Sequence, residues 1–201
     1  MPAGGGAVLI ELDSLEQVIG LDAALRSTPP EGTVDLVPAA RTVLVVFDTA
    51  ATTADRVVAD VSGRQIGPVV ERAGPRVEVP VVYDGEDLDE VAAMSGLSPD
   101  EVVERHLRPE YRVAFCGFAP GFAYIVGGDP ALRVPRRSSP RTAVPAGSVA
   151  LADEFTGVYP RRMPGGWQLI GRTDALLWDL DRDPPALLPP GTRVRFVAAR
   201  P

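Results

Sequence analysis

The sequence predicts an α+β fold: a small N-terminal βαββαβ-like α/β domain over residues 1–75, followed by a mainly-β barrel over residues 76–201. Two observations carry this. Up to Tyr83, short apolar runs alternate with segments that carry helix-capping chemistry; from Tyr111 onward, short β-like segments are separated by proline and glycine corners. Such corners are awkward in a helical bundle, because proline removes a backbone donor and clashes with the preceding turn, and they suit the bends of a closed or sandwich-like barrel.

The elements follow in order. Ala7 to Leu12 reads as a strand, and Ser14-Leu-Glu-Gln17 as a capping box opening a helix with Leu15, Val18, Ile19 and Leu25 on one face. Thr28-Pro-Pro-Glu-Gly32 ends it. Val34 to Val37 and Thr42 to Phe47 read as strands, Ala54 to Val61 as a helix and Arg76 to Tyr83 as a strand. Leu88 to Met94 and Ser98 to Leu107 read as two short helices joined at Gly96, the second with Ser as N-cap, Pro first and Glu third. Further strands are read at Tyr111 to Phe115, Val149 to Ala152, Trp167 to Ile170 and Arg193 to Val197. The opening Met1-Pro-Ala-Gly-Gly-Gly6 reads as a loose leader.

Composition excludes several functions. All 20 basic residues are arginine, so this chain supplies no Walker-type lysine, Schiff base or lysine general base. A net charge of −7 opposes binding to nucleic acid or an anionic membrane. The helix pair has helix-turn-helix spacing, yet Asp87, Asp89, Glu90, Asp100, Glu101 and Glu104 would face phosphates. A single cysteine, Cys116, rules out an intramolecular disulfide, and no signal peptide or long apolar span is read, which points to the cytoplasm.

The charge is unevenly spread. From Arg133 to Arg172 seven arginines face only Asp153 and Glu154, a local +5, which leaves −12 for the remainder. The same stretch holds the glycine-proline loops, and arginine's planar fork suits carboxylate or phosphate, so a small anionic ligand is expected there. Phe118, Phe122, Tyr124, Tyr159 and Trp167 lie at these corners and are candidate pocket walls; the alternative is that they fill the core. His106, the only histidine, is either a cap on helical carbonyls or an acid/base group. One His and one Cys argue against a metal site, and no G-x-G-x-x-G after a strand and no P-loop is present.

The strings Val102-Val-Glu-Arg-His106, Glu110-Tyr-Arg-Val113, Gly117-Phe-x-Pro-Gly-Phe-x-Tyr124, Pro140-Arg141, Val144-Pro-Ala-Gly-Ser-Val149, Thr156-Gly-Val-Tyr-Pro160 and Pro164-Gly-Gly-Trp-Gln-Leu-Ile-Gly-Arg-Thr173 together resemble the family of the B component of 5-oxoprolinase, also called allophanate hydrolase subunit 1, which includes the kinase inhibitor KipI. The resemblance covers residues 76 to 197. It implies a cyclophilin-like barrel and a partner, a second cyclophilin-like protein of the C type (the allophanate hydrolase subunit 2 family), which with an A-type component opens 5-oxo-L-proline to glutamate using ATP in the assembled complex. Related domains handle urea. Two features depart from the family: its members begin with an extra strand where this chain starts near Gly4, and Phe155 stands where the family commonly has Gln.

The roles expected from residue chemistry place His106 as acid/base or orienter, Arg141 and Arg172 as anion clamps, and Phe122, Tyr124, Tyr159 and Trp167 as walls, with Phe118, Pro120, Gly121, Gly165 and Gly166 also expected to bind substrate. Gly147 and Ser148 are expected to donate hydrogen bonds to substrate, the first from its backbone N–H and the second from its hydroxyl. The main reading is a hydrolase component inactive by itself. The alternatives are a KipI-like inhibitor of a histidine kinase and a component of a urea or allophanate pathway.

Overall fold

In the computed structural model, which describes residues 1–66 and 74–200, the chain divides into two compact units, Met1–Glu71 and Arg72–Pro201. It is a mixed α/β protein, and its larger sheet is barrel-like.

The first unit contains β1 (Ala7–Glu11), α1 (Leu15–Ser27), β2 (Thr33–Pro38), β3 (Thr42–Phe47) and α2 (Ala54–Ser62). Its strands form an antiparallel sheet in the order β1-β3-β2. Along β3 alternate residues Val43, Val45 and Phe47 are buried, the period-two signature of a sheet with one face on a core. They pack with Val18, Leu21 and Leu25 of α1 and Val57 of α2. The buried stripe of α1 thus runs through Leu21 rather than the expected Ile19, which is only partly covered. Ser14 caps α1 by accepting from the Gln17 N–H, while the Gln17 side chain accepts from Asp13 N–H, one residue beyond the usual reciprocal bond. The opening residues are not a loose leader. Pro2 bridges Val8, and Leu9 N–H donates to the Met1 carbonyl at 2.8 Å, so the glycines form a turn with Gly4 at φ +72.

The second unit contains β4 (Arg76–Val81), α3 (Leu88–Ser95), α4 (Pro99–Leu107), β5 (Tyr111–Cys116), β6 (Ala123–Val126), β7 (Arg141–Val144), β8 (Ser148–Ala152), β9 (Phe155–Val158), β10 (Met163–Gly165), β11 (Gln168–Arg172) and β12 (Arg193–Ala198). Seven strands form one sheet in the order β11-β8-β9-β6-β5-β12-β4. Its two edges nearly meet: Val82, just past β4, exchanges hydrogen bonds of 2.8 and 2.9 Å with Arg172 at the end of β11. Near-closure leaves little unpaired edge. The remaining two strands, β7 and β10, form a separate ribbon.

The strand order departs from expectation at one place. Arg76–Val81 does not complete a βαββαβ unit with the first three strands; it pairs in parallel with β12 over six residues, Arg193↔Arg76 through Ala198↔Val81. Val79 and Val81 are fully buried and join the barrel core, and that apolar face decides which sheet the strand enters. Four strands are absent from the sequence reading: β6, β7, β9 and β10. In β9 every residue of Phe-Thr-Gly-Val is buried, so no apolar alternation exists to detect.

The helix pair covers the core with Val91, Ala92 and Val102. Its turn uses Gly96 in the left-handed region at φ +67, and α4 carries the full capping box between Ser98 and Glu101.

Candidate functional site

The glycine-proline strings bring aromatic rings together around β6 and β9. The Tyr124 ring stacks on Phe115 at 4.4 Å, and Phe155 meets both edge-on at 5.4 and 5.9 Å. Phe122 lies edge-to-face against Tyr124, Tyr159 and Trp167 at 5.2 to 5.4 Å, a geometry the ring quadrupoles favour. Gly157 permits this, because a Cβ there would stand 2.9 Å from the Trp167 ring and 3.1 Å from that of Phe122.

Charge surrounds this wall. The Arg136 guanidinium lies 5.9 Å over the Trp167 ring, a cation–π placement, and forms no ion pair among the described residues. Burial raises the pKa of Tyr159, opposed by a Trp167 backbone N–H bonded to its oxygen and by the charges of Arg136 and Arg141. Burial likewise raises that of Tyr124, with Arg136 again acting against it.

Beside it is a buried ionic centre. Asp87, at the N-cap of α3, is only 2% exposed. Its Oδ1 accepts from Arg141 Nη2 at 2.7 Å and Arg137 Nη1 at 2.8 Å, and its Oδ2 accepts from the Leu169 backbone N–H at 2.7 Å. Glu86 and Glu90 reach the same arginines from exposed positions. Arg141 Nη1 and Arg137 Nε are buried with no hydrogen-bond partner among the described residues.

The other candidate residues lie as follows. Phe118, Pro120 and Gly121 form the β5–β6 turn; Phe118 is 60% exposed in the left-handed region at φ 67, and its ring meets Phe122 edge-on. Gly165 stands opposite Arg141 in the β7–β10 ribbon, and a Cβ there would collide with the Tyr159 hydroxyl. The Gly166 carbonyl accepts from Arg137 N–H at 2.8 Å. Gly147 N–H, the backbone donor expected for substrate, is spent on the Tyr159 carbonyl at 2.7 Å, and Ser148, expected to donate its hydroxyl, is buried at the start of β8. Arg172 is half-exposed and paired through Nε with Asp84 at 2.9 Å.

His106 is fully buried. Its Nδ1 and the Tyr83 hydroxyl share a hydrogen bond of 2.7 Å, its ring packs 4.5 Å from Phe196 and 5.4 Å from Tyr111, and burial pushes its pKa down to about 3. Among the described residues no ring contact or hydrogen bond joins His106 or Arg172 to the aromatic wall. No group of three or more His, Cys, Asp or Glu among the described residues is placed to hold a metal ion. No helix among them is long and apolar enough to cross a membrane.

Sequence reasoning missed Asp87 and Arg136 as site residues. Asp87 looked like one of several helix acids, and nothing local links it to arginines 50 and 54 positions away. Arg136 could have been found, since it lies in the arginine-rich loop, but only the folded ribbon selects it from its neighbours.

Residues 1–188 match a family described as Carboxyltransferase domain, subdomain C and D. The B component of 5-oxoprolinase from Bacillus subtilis (strain 168) is 51% identical over 124 residues, 60% of this chain and 52% of that protein. Its namesake in Escherichia coli O157:H7 is 54% identical over 124 residues, 60% of this chain and 57% of that protein. The match thus spans little more than half the length of these relatives. Among solved structures, the conserved uncharacterized protein PH0987 from Pyrococcus horikoshii is 40% identical with a TM-score of 0.60, over 98% of this chain and 96% of that one. TTHA0988 is 38% identical with a TM-score of 0.79, over 97% of this chain and 40% of that one. Kluyveromyces lactis urea carboxylase, at 19% identity and a TM-score of 0.78 over 97% of this chain and 21% of that one, shares the fold.

Proposed function

This chain belongs to the carboxyltransferase subdomain C and D family, and on that premise we propose that it is the B-type component of an ATP-dependent 5-oxoprolinase. The observation that carries the reading is the identity above one half to two proteins named as that component of 5-oxoprolinase. In this reading residues 1–75 form a small α/β domain and residues 76–201 a cyclophilin-like barrel, and the protein works in the cytoplasm with a second cyclophilin-like protein and a third component.

The site chemistry fits a small, flat, singly charged lactam. In this reading the partly exposed Tyr124, backed by the buried Phe122 and Trp167, takes the five-membered ring, and Arg136, exposed over Trp167, takes the carboxylate with Arg141 near by. A lactam amide is a poor electrophile, and ATP in the assembled complex supplies its activation for ring opening. We assign the triphosphate to another component, because the chain has no lysine to set on a phosphate and, among the described residues, the Gly147 turn spends its N–H on the Tyr159 carbonyl. The part given to this chain is therefore to bind the lactam, orient it and exclude water. His106, enclosed and held neutral by burial, packs α4 onto Tyr111 and Phe196.

The test is co-expression with the products of the adjacent genes, followed by assay of glutamate release from 5-oxo-L-proline with and without ATP. ATP-dependent glutamate formation by the complex, and none by this chain alone, is the expected result. Glutamate release by the isolated chain would refute the partner requirement, and none from the complex would refute the activity.

A further inference from the structure

The loop that carries Arg136 is tied down on both sides of it. The Val134 carbonyl accepts from the Asp153 N–H at 2.7 Å, the Pro135 carbonyl accepts from Gln168 Nε2 at 3.1 Å, and the Arg137 N–H donates to the Gly166 carbonyl at 2.8 Å. The Arg137 side chain is held in turn by Asp87. Residues 135, 136 and 137 thus meet residues 168, 167 and 166 in order, and the middle pair is the Arg136 guanidinium over the Trp167 ring. Arg136 is exposed and Tyr124 partly exposed, so a ligand reaches both from solvent and needs no cavity. The charge of Arg136 acts on the hydroxyls of Tyr124 and Tyr159, which puts it at the polar end of the aromatic cluster.

Of the two hydrogen bonds next to Arg136, the one from Arg137 N–H to Gly166 is backbone to backbone and asks nothing of the side chains. The other needs the amide of Gln168. Gln168 opens β11 and is 2% exposed, and its Oε1 is buried with no partner among the described residues. A Met or Leu would fill the same space without an orphaned acceptor, and Pro135 lies at an exposed position where water can satisfy its carbonyl. Fold support alone therefore does not call for an amide at residue 168. Fixing the height of the loop over Trp167 does.

We propose that Gln168 is a positioning residue: through the Pro135 carbonyl it sets Arg136 over Trp167, where the guanidinium receives the carboxylate of a small cyclic substrate. The inference rests on the lactam reading above and deepens it by naming what fixes the arginine that reads the carboxylate. A guanidinium whose backbone is pinned on both sides and whose head rests against a ring has less freedom to lose when a ligand arrives.

Gln168→Met isolates the claim, because it keeps the length and the apolar packing but has no N–H to donate. It is made in the wild-type chain and in Arg136→Ala, and the assembled complexes are assayed with 5-oxo-L-proline. Gln168→Met is expected to raise KM about three- to ten-fold with a much smaller change in kcat, and to add nothing further once Arg136 is alanine. The Arg136 Nε–H resonance of the isolated chain, assigned by its loss in Arg136→Ala, reads the geometry itself. The Trp167 ring current shifts it in the wild type, and in Gln168→Met it is expected to return toward the ordinary arginine position. An equal KM rise with and without Arg136, no rise, or a shifted resonance that persists in the variant overturns the inference and leaves the lactam reading standing. Failure of both Gln168→Met and Gln168→Leu to fold does the same, since Gln168 is then architectural. If the wild-type complex turns over no 5-oxo-L-proline, the lactam reading falls, and titrating the isolated chain with 5-oxo-L-proline decides the inference. An Arg136 resonance that moves in the wild type but not in Gln168→Met supports it, and one that stays still, or moves alike in both, overturns it.

Discussion

Two polar centres are buried in the second unit, and the fold treats them in opposite ways. His106 is walled in by Tyr83, Tyr111 and Phe196, has no counter-ion among the described residues, and is held neutral by desolvation. Asp87 is equally enclosed, but two guanidinium groups and a backbone N–H surround it. Burial without a partner removes charge, whereas burial with partners keeps it and fixes where it points. Only the second kind of centre keeps its charges, and Arg141 of that centre stands opposite Gly165, beside Tyr159. The sole histidine, the most conspicuous catalytic candidate in the sequence, lies in the first kind.

The sharpest test of this contrast is Asp87→Ala. It leaves two arginines beside an empty position and takes the acceptor from the Leu169 N–H, and a loss of about 3–5 kcal/mol by urea denaturation is expected. A loss below about 1 kcal/mol would mean that the arginines are solvated after all.

The pH dependence separates the two centres next. The folded His106 pKa is depressed to about 3 from an ordinary 6.5, so between these values the unfolded chain binds the extra proton. Stability contributed by the neutral imidazole is thus full above about pH 6.5 and declines as pH falls toward about 3. A His106→Phe variant should show a flatter fall in melting temperature than wild type over that window. Parallel curves would show that the imidazole is not held neutral.

A smaller effect is expected for Arg136→Ala. Its cation–π contact with Trp167 is at the protein surface, so stability should change by about 0.5–1 kcal/mol or less by urea denaturation. KM for 5-oxo-L-proline in the complex should nevertheless rise several-fold, and an unchanged KM would remove Arg136 from the site. The smallest change belongs to Arg172→Ala, where a half-exposed pair with Asp84 predicts about 0–1 kcal/mol by the same denaturation measurement. A raised KM there would return Arg172 to the substrate.

Particular residues show how far the sequence could be read. The capping chemistry at Ser98, Pro99 and Glu101 located α4, and the alternation from Thr42 to Phe47 located β3, because both signals are local. Phe122, Tyr124, Tyr159 and Trp167 are marked by their glycine and proline neighbours, and the fold gathers them, but Phe122, Tyr159 and Trp167 are buried, as the core-filling alternative has it, and only Tyr124 is partly exposed. Strand β9, buried throughout, carried no period to read, and β4 carried a strand signal but nothing naming the sheet it would enter.

The sequence by itself determined the element types, the absence of lysine, the crowding of arginine with glycine and proline after Arg133, and the family strings. Those depend on composition and near neighbours. Tertiary structure decided that Arg76–Val81 closes against β12, that His106 is sealed from charge, and that Asp87 gathers Arg137 and Arg141 across more than 45 residues of chain. The physical reason is that burial and pairing belong to positions in space, and an electrostatic environment is set by what folding brings within a few ångströms, not by what precedes or follows along the chain.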